Sequence, residues 1–279
     1  ASMRGFRADL PNPTRHDLDL LATFTLSWEQ VKSEPTQKIF LAAGYCAANT
    51  AIPPEIFEKT AELDETACDE CIQTLVGVGL LGEEITIHPL LAEFARRLDT
   101  EHAILKKLAG VLVEISFTAL TTELVSSFLP LRHHVNVVAI HLLDISPQFA
   151  GAIWIHYGNH LRDYGDYQKS ETVLLQAVTF FKIHFGVDHP ITATALSSLG
   201  VIYFETDRYE LAKKQFEHAL KIDVSVNGYN NQATARDLSN LGQVLRALGS
   251  LDDAKECLLK ALKIDESLFG TNHIEFAKN

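Results

Sequence analysis

From about residue 151 onward, apolar and small side chains return at a fixed interval of 42 residues. Gly158, Gly200 and Gly242 fall in register, as do Ala177, Ala219 and Ala261, then Leu174, Phe216 and Leu258, and then Gly186, Gly228 and Gly270. Self-similarity at a fixed period of this size marks a repeat architecture. Within one unit, Leu196, Leu199, Gly200 and Tyr203 keep the i, i+3, i+4, i+7 spacing of a single helical face. Asp207-Arg208 makes a short turn. Tyr209, Ala212, Phe216 and Ala219 then mark a second face that stops before Asn227-Gly228, where glycine suits the left-handed geometry of a helix end. Each unit is therefore expected to be an antiparallel helical hairpin, with small residues at the crossing so that the two axes approach closely. The stretch "FGVDHP" before Pro190 reads as a joint between hairpins, with proline in the first helical turn, where its missing N–H is no loss.

The first hundred residues follow a different rhythm. "DLDLLATFTLSWEQV" and "TQKIFLAAGYCAA" read as helices, "IPPEIFEKTAEL" opens a new segment at Pro53-Pro54, and "ETACDECIQTLVGVGLL" ends near Gly77 or Gly79. "GLLGEEITIH" alternates as two short strands around a Gly-Glu-Glu turn, and a last helix starts at Pro89. Three helices with a two-stranded wing make a winged-helix layout. Residues 101–150 predict two or three further helices, one of them the amphipathic "EHAILKKLAGVLVEISFTAL", with "DISPQ" at 144–148 as the joint into the repeats. The expected fold is mainly α: a winged-helix domain with a small β-hairpin wing, then an α-helical solenoid of 42-residue units. The expected boundaries are a linker or expression scar at 1–16, the winged helix at 17–98, a helical adaptor at 99–150 and about three repeats at 151–279. "GTNHIEFAKN" reads as the opening of a fourth unit, so both ends are expected to be cut from a longer protein.

The lines "LSSLGVIYFETDRYELAKKQFEHALKI" and "LSNLGQVLRALGSLDDAKECLLKALKI" resemble the tetratricopeptide repeat, in the longer form found in kinesin light chains and bacterial signalling proteins. In the N-terminal third, "TLSWEQV", "IPPEIF", "TLVGVGLL" and "ITIHPLLAEFARRL", in that order, resemble the winged-helix segment of NB-ARC proteins, members of the STAND class of signalling ATPases. That resemblance implies that His88 of "ITIHPL" is a latch to the β-phosphate of ADP held by a nucleotide-binding domain of the same parent chain. ADP or ATP is thus implied for the parent, and no cofactor for this segment, which has no Gly-Lys dipeptide and so no Walker A loop. Here Ile87 and Pro89 replace the Met and Asp of the family's motif. The alternative for His88 is a local cap on the following helix.

Chemistry is sparse elsewhere. "GVGLLG" at 77–82 satisfies G-x-G-x-x-G but lacks the strand before and helix after that a dinucleotide needs. "CDEC" at 68–71 is a lone pair of thiols, His156 and His160 lack the glutamate of a zinc helix, and "RHH" at 132–134 reads as a polar helix start. No catalytic constellation is present, and an enzyme is not expected. Net charge is −12, and residues 1–100 hold 8 Lys+Arg against 16 Asp+Glu. Phosphate neutralisation needs clustered cations, so no nucleic-acid partner is expected. The longest apolar runs fall short of a bilayer span, and four irregularly spaced cysteines suit a reducing compartment, which places the protein in the cytoplasm away from membranes.

Stacked hairpins leave a groove lined by their first helices. Counting from the register glycines, the side chains expected to face it are Ile155, Asn159 and Arg162, then Ser197, Val201 and Phe204, then Ser239, Gln243 and Arg246, with Arg236 one turn earlier. This mixed strip with arginines suits an extended acidic or polar peptide. Three functions follow: a non-catalytic sensor fragment of a STAND ATPase, whose repeats bind a partner and release the His88 latch; a DNA-binding regulator using the winged helix; or a plain interaction scaffold. The helix from Glu65 to Leu75 carries Asp69 and Glu70 and no Lys or Arg, which weighs against DNA.

Overall fold

The computed structural model describes residues 15–121 and 130–270. Among these residues the secondary structure is helical throughout, in thirteen helices with no strand. The chain divides into two compact units, Ala1–Ile153 and Trp154–Asn279. The expected opening of a fourth repeat at 271–279, and nearly all of the 1–16 segment, lie outside the described residues.

In the N-terminal unit, α1 (Arg15–Gln30), α2 (Glu34–Ala43), α3 (Pro54–Ala61), α4 (Glu65–Gly77) and α5 (Pro89–Leu98) precede α6 (Ala103–Thr121) and α7 (Arg132–Leu142). The hub is α2, which packs on α3, α4, α5 and α6. Its Ile39 and Phe40 are fully buried, and Phe40 sits between Trp28 and Phe94 at ring separations of 5.4 and 6.2 Å. Two ion pairs, Lys59–Glu114 at 2.8 Å and Lys107–Glu62 at 2.7 Å, bracket the approach of α6. No helix among the described residues is long and apolar enough to cross a membrane.

The expected wing at 79–88 does not form. Its alternating apolar residues are inward-facing, with Leu80 and Ile87 fully buried, but the backbone folds otherwise. Ile85 lies at φ +54, which interrupts an extended strand, and Gly82 N–H closes a tight turn onto Thr86 O at 2.8 Å. The carbonyls of Ile85 and Ile87 instead accept from Ile52 and Asn49 N–H, at 3.0 and 2.9 Å. The segment is therefore tied to the loop before α3, and to itself only through the tight turn at Gly82–Thr86. Alternating apolar residues suit a strand and a loop pinned at alternate carbonyls alike, so the pattern alone could not separate them.

His134, expected as part of a polar helix start, is fully buried against that same loop. Its Nδ1 accepts from Ala47 N–H at 3.1 Å, which leaves the proton on Nε2, 2.9 Å from the Ala51 carbonyl it donates to. Burial holds this imidazole below the ordinary histidine range.

The C-terminal unit is periodic. α8 (Pro147–Asp163), whose first residues belong to the preceding unit, pairs with α9 (Tyr167–His184), α10 (Pro190–Glu205) with α11 (Tyr209–Asn227), and α12 (Gln232–Ala247) with α13 (Leu251–Phe269). The register glycines meet the same neighbour in every hairpin: a Cβ added at Gly158, Gly200 or Gly242 would lie 2.6, 2.8 or 2.7 Å from Leu174, Phe216 or Leu258. Every hairpin turn also closes identically. Asp166, Arg208 and Ser250 N–H reach back five residues to Leu161, Tyr203 and Leu245 O at 2.8, 2.8 and 2.9 Å, a Schellman closure. The residue before each lies at positive φ: Gly165, Asp207 and Gly249.

Candidate partner-binding surface

The first helices of the second and third hairpins start from side-chain caps. Asn231 Oδ1 accepts from Thr234 N–H at 3.0 Å at the head of α12, and His189 Nδ1 accepts from Ile191 N–H at 3.2 Å at the head of α10. Behind each cap a threonine, Thr192 or Thr234, donates to the carbonyl of the joint glycine, Gly186 or Gly228. The degenerate His-Pro and Asn-Gln pairs of the sequence therefore do one job, supplying an acceptor to a helix N-terminus.

The same device appears in the N-terminal unit. His88 caps α5, its Nδ1 accepting from Leu90 N–H at 3.2 Å, with Pro89 in the first turn. The side chain is exposed. With Nδ1 used as an acceptor, the neutral ring carries its proton on Nε2, so its other nitrogen is a donor. The four residues of "CDEC" are separated by burial: Cys68 is buried, Cys71 is partly exposed, and both are free thiols. Gly79 of "GVGLLG" takes φ +74 at the end of α4, with Leu80 N–H closing onto Leu75 O at 2.9 Å, a helix stop and not a phosphate cradle.

Accessibility along the expected groove strip rises from the first hairpin to the third. Ile155 is buried, while Asn159 and Arg162 are half-buried, and Arg162 is paired with its neighbour Asp163 at 2.5 Å. In the second hairpin, Val201 and Phe204 are half-buried, with Phe204 packed on Tyr209 at 5.7 Å. Ser197 is buried, and its hydroxyl donates to Asp237 Oδ1 of α12 at 2.6 Å. In the third, Ser239 is half-buried, and Gln243 and Arg246 are exposed. Arg236 is exposed but leans on Asp237 at 3.4 Å. Ile155 and Ser197 therefore offer no accessible side chain, contrary to the expectation from register. Counting from the glycines fixes which way a residue faces along its own helix, but not how near the next first helix comes.

Two features were missed in the sequence. Arg208 forks onto both oxygens of Glu171 at 3.0 and 2.8 Å while its guanidinium lies 4.5 Å over the Tyr203 ring, tying the second hairpin to the first. Glu171 raises the already high guanidinium value further. The second is a pair of buried carboxylates, Asp223 and Asp237, facing each other between α11 and α12. In the 42-residue frame they stand where the preceding unit has Phe181 and Ala195, both fully buried. An acid at a core position of a repeat was the available signal.

The last hairpin presents an apolar furrow of about 490 Å³ between Arg246 and Leu262, with Leu251, Leu258 and Leu259 exposed along it. Phe216, at the same register as Leu258, is buried.

Family models for the tetratricopeptide repeat match residues 149–223 and 234–275. Those stretches are tetratricopeptide repeats. The chain is also similar to the crystal structure of BtubC (BKLC) from P. vanneervenii, at TM-score 0.52 and 17% identity, over 73% of this chain and 82% of that one. A candidate kinesin light chain of P. anserina with nearly identical repeats aligns at TM-score 0.48 and 17% identity, over 71% of this chain and 87% of the other. At these identities the likeness concerns the fold. A search of curated proteins returned no match. Tetratricopeptide repeats are protein-interaction scaffolds, and the chain carries such a scaffold in its C-terminal unit.

Proposed function

We propose that this chain is a non-catalytic interaction protein whose repeats take up an extended acidic or polar peptide along the first helices of the hairpins. The observation that supports this reading is the strip of accessible donors and acceptors on α8 and α12: Asn159, Arg162, Ser239, Gln243 and Arg246. The experiment is selection of extended peptides on the full chain from a display library, followed by affinity measurement on the Arg162→Ala/Arg246→Ala double variant. A loss of tenfold or more supports the strip, with the larger share from Arg246 because Arg162 is already paired with Asp163. Unchanged affinity removes it.

A second reading concerns the N-terminal unit, the segment of an NB-ARC ATPase that contacts its nucleotide-binding domain. The supporting observation is the cap at His88, which fixes the tautomer so that an exposed N–H donor is left over, the group a phosphate oxygen accepts from. Partner binding at the repeats would then favour an open arrangement in which that donor leaves the phosphate. ADP release from a His88→Ala variant of the intact parent protein tests it; release as slow as in wild type ends the latch. Salt-dependent binding of duplex DNA by this unit would instead support a transcriptional regulator, against the exposed Glu65, Asp69 and Glu70 of α4.

A further inference from the structure

Asp223 and Asp237 have relative exposures of 2% and 0%, and they come from consecutive hairpins. Asp237 Oδ1 is occupied: Ser197 Oγ donates to it at 2.6 Å from α10, and Arg236 Nε approaches at 3.4 Å from its own helix. The Oδ2 atoms of both residues are buried and accept nothing from any donor of the protein. The closest cation, Arg236 Nη2, stands 3.9 Å from Asp223 Oδ2, at the limit of an ion pair and on a half-exposed side chain. The same nitrogen stands 3.4 Å from Asp237 Oδ1, so one guanidinium meets both buried carboxyl groups and sets them side by side. Two carboxylates are acceptors only, so neither orphaned oxygen can be satisfied by the other acid unless one of them carries a proton.

We infer that the seam between the second and third repeats is closed by one proton shared between Asp223 and Asp237, and that this seam loosens when the proton leaves. One hydrogen satisfies both orphaned oxygens and removes a charge from a site that water does not reach. Its loss leaves two negative charges buried face to face, with one partly solvated guanidinium between them.

The groups facing the pair are few. α10 presents the neutral hydroxyl of Ser197, α12 presents Arg236, and α11 presents Asp223 itself. Burial pushes Asp223 up to about 6, with Asp237 the next largest cause, and burial likewise raises Asp237. A carboxyl whose folded value lies above its unfolded one holds its proton more tightly when folded. Its contribution to stability is therefore complete below the ordinary aspartate value of 3.8 and is lost as pH rises through about 6. This is opposite to the behaviour of the chain's surface ion pairs, such as Lys38–Glu34, whose carboxylate is held below its ordinary range.

The test compares the full chain with Asp237→Asn, whose amide places an N–H where the shared proton sits and keeps an oxygen for Ser197. Asp223→Asn is the mirror variant. Thermal midpoints of the C-terminal unit are read from pH 5 to pH 8, always as the difference between variant and wild type, so that titration of surface groups cancels. Both variants are expected to lie above wild type by about 5 °C at pH 8 and to converge on it at pH 5. A second readout, carboxyl carbon shifts of the wild type, should show one aspartate titrating near pH 6 or above. Variants that run parallel to wild type or fall below it at pH 8, or two carboxyls that both titrate in the ordinary range, would overturn the shared proton. If one variant fails to fold, its mirror and the carboxyl titration decide the matter.

Discussion

The two units of this chain reach order by different means. The N-terminal unit has a single hub: α2 meets four other helices, and its interior is filled by unlike pieces, including an aromatic trio at Trp28, Phe40 and Phe94 and a buried histidine bolted to a loop. The C-terminal unit has no hub. It repeats one glycine-to-apolar contact and one turn closure three times, so each hairpin depends chiefly on its neighbours. Damage in the first should therefore be global to its unit, and damage in the second local and graded.

The largest test of that contrast is Phe40→Ala. Deleting a fully buried ring at the hub is expected to cost about 3–5 kcal/mol and to expose every amide of the N-terminal unit to hydrogen exchange together, while α10 to α13 keep their protection. If exchange speeds up only around α2, the hub description fails.

Next comes His134→Ala, which strands Ala47 N–H and Ala51 C=O inside the protein at about 1–3 kcal/mol for each unpaired group. The wild type should show the same weakness on acidification. A histidine held below its ordinary value binds its proton less well when folded, so its stabilisation is present above pH 6.5 and is lost as pH falls through the lower folded value. Unfolding of this unit followed between pH 7.5 and 5 checks the sign, and the Ala variant should lose that slope.

Smaller still, Gly200→Ala should cost about 1–3 kcal/mol, because the new methyl enters the Phe216 ring, whereas Gly110→Ala in α6, which meets nothing within 4 Å, should gain about 0.5–1 kcal/mol. The faster exchange in Gly200→Ala should be confined to α9 through α12. Equal effects at the two glycines would show that helix propensity, and not the close crossing, governs both.

The smallest change is Asp207→Gly, which relieves the only non-glycine among the three hairpin turns, at φ +58. A gain of about 0.5 kcal/mol in thermal or urea unfolding is expected, held down by loss of the Tyr209–Asp207 contact.

The contrast also decides what could be seen before the fold was known. In the repeats, Gly158, Gly200 and Gly242 announced the helix crossings because each position was written three times. In the first unit every feature is written once. Ile85 and Ile87 alternate like a strand, yet their carbonyls serve the loop before α3, a partner more than thirty residues upstream that no local pattern encodes. His134 sits more than eighty residues from the backbone groups it holds and, beside Arg132 and His133, reads as part of a polar helix start. On the candidate surface, register gave the facing but not the neighbour, so Ser197 pointed as expected and was already taken by Asp237. His88 and His189 show the converse: the same dipeptide carries the same cap in both units, so a motif that suggested a nucleotide contact in one place has a backbone duty in both.

The glycine crossings carry an implication for lineage. Because each one fits only when the large apolar side chain arrives sixteen residues later, an indel inside a hairpin would slide the ring or leucine off its seat, while the gain or loss of a whole 42-residue block would leave every crossing intact. Descendants of this chain should differ in copy number far more readily than in the length of any one copy.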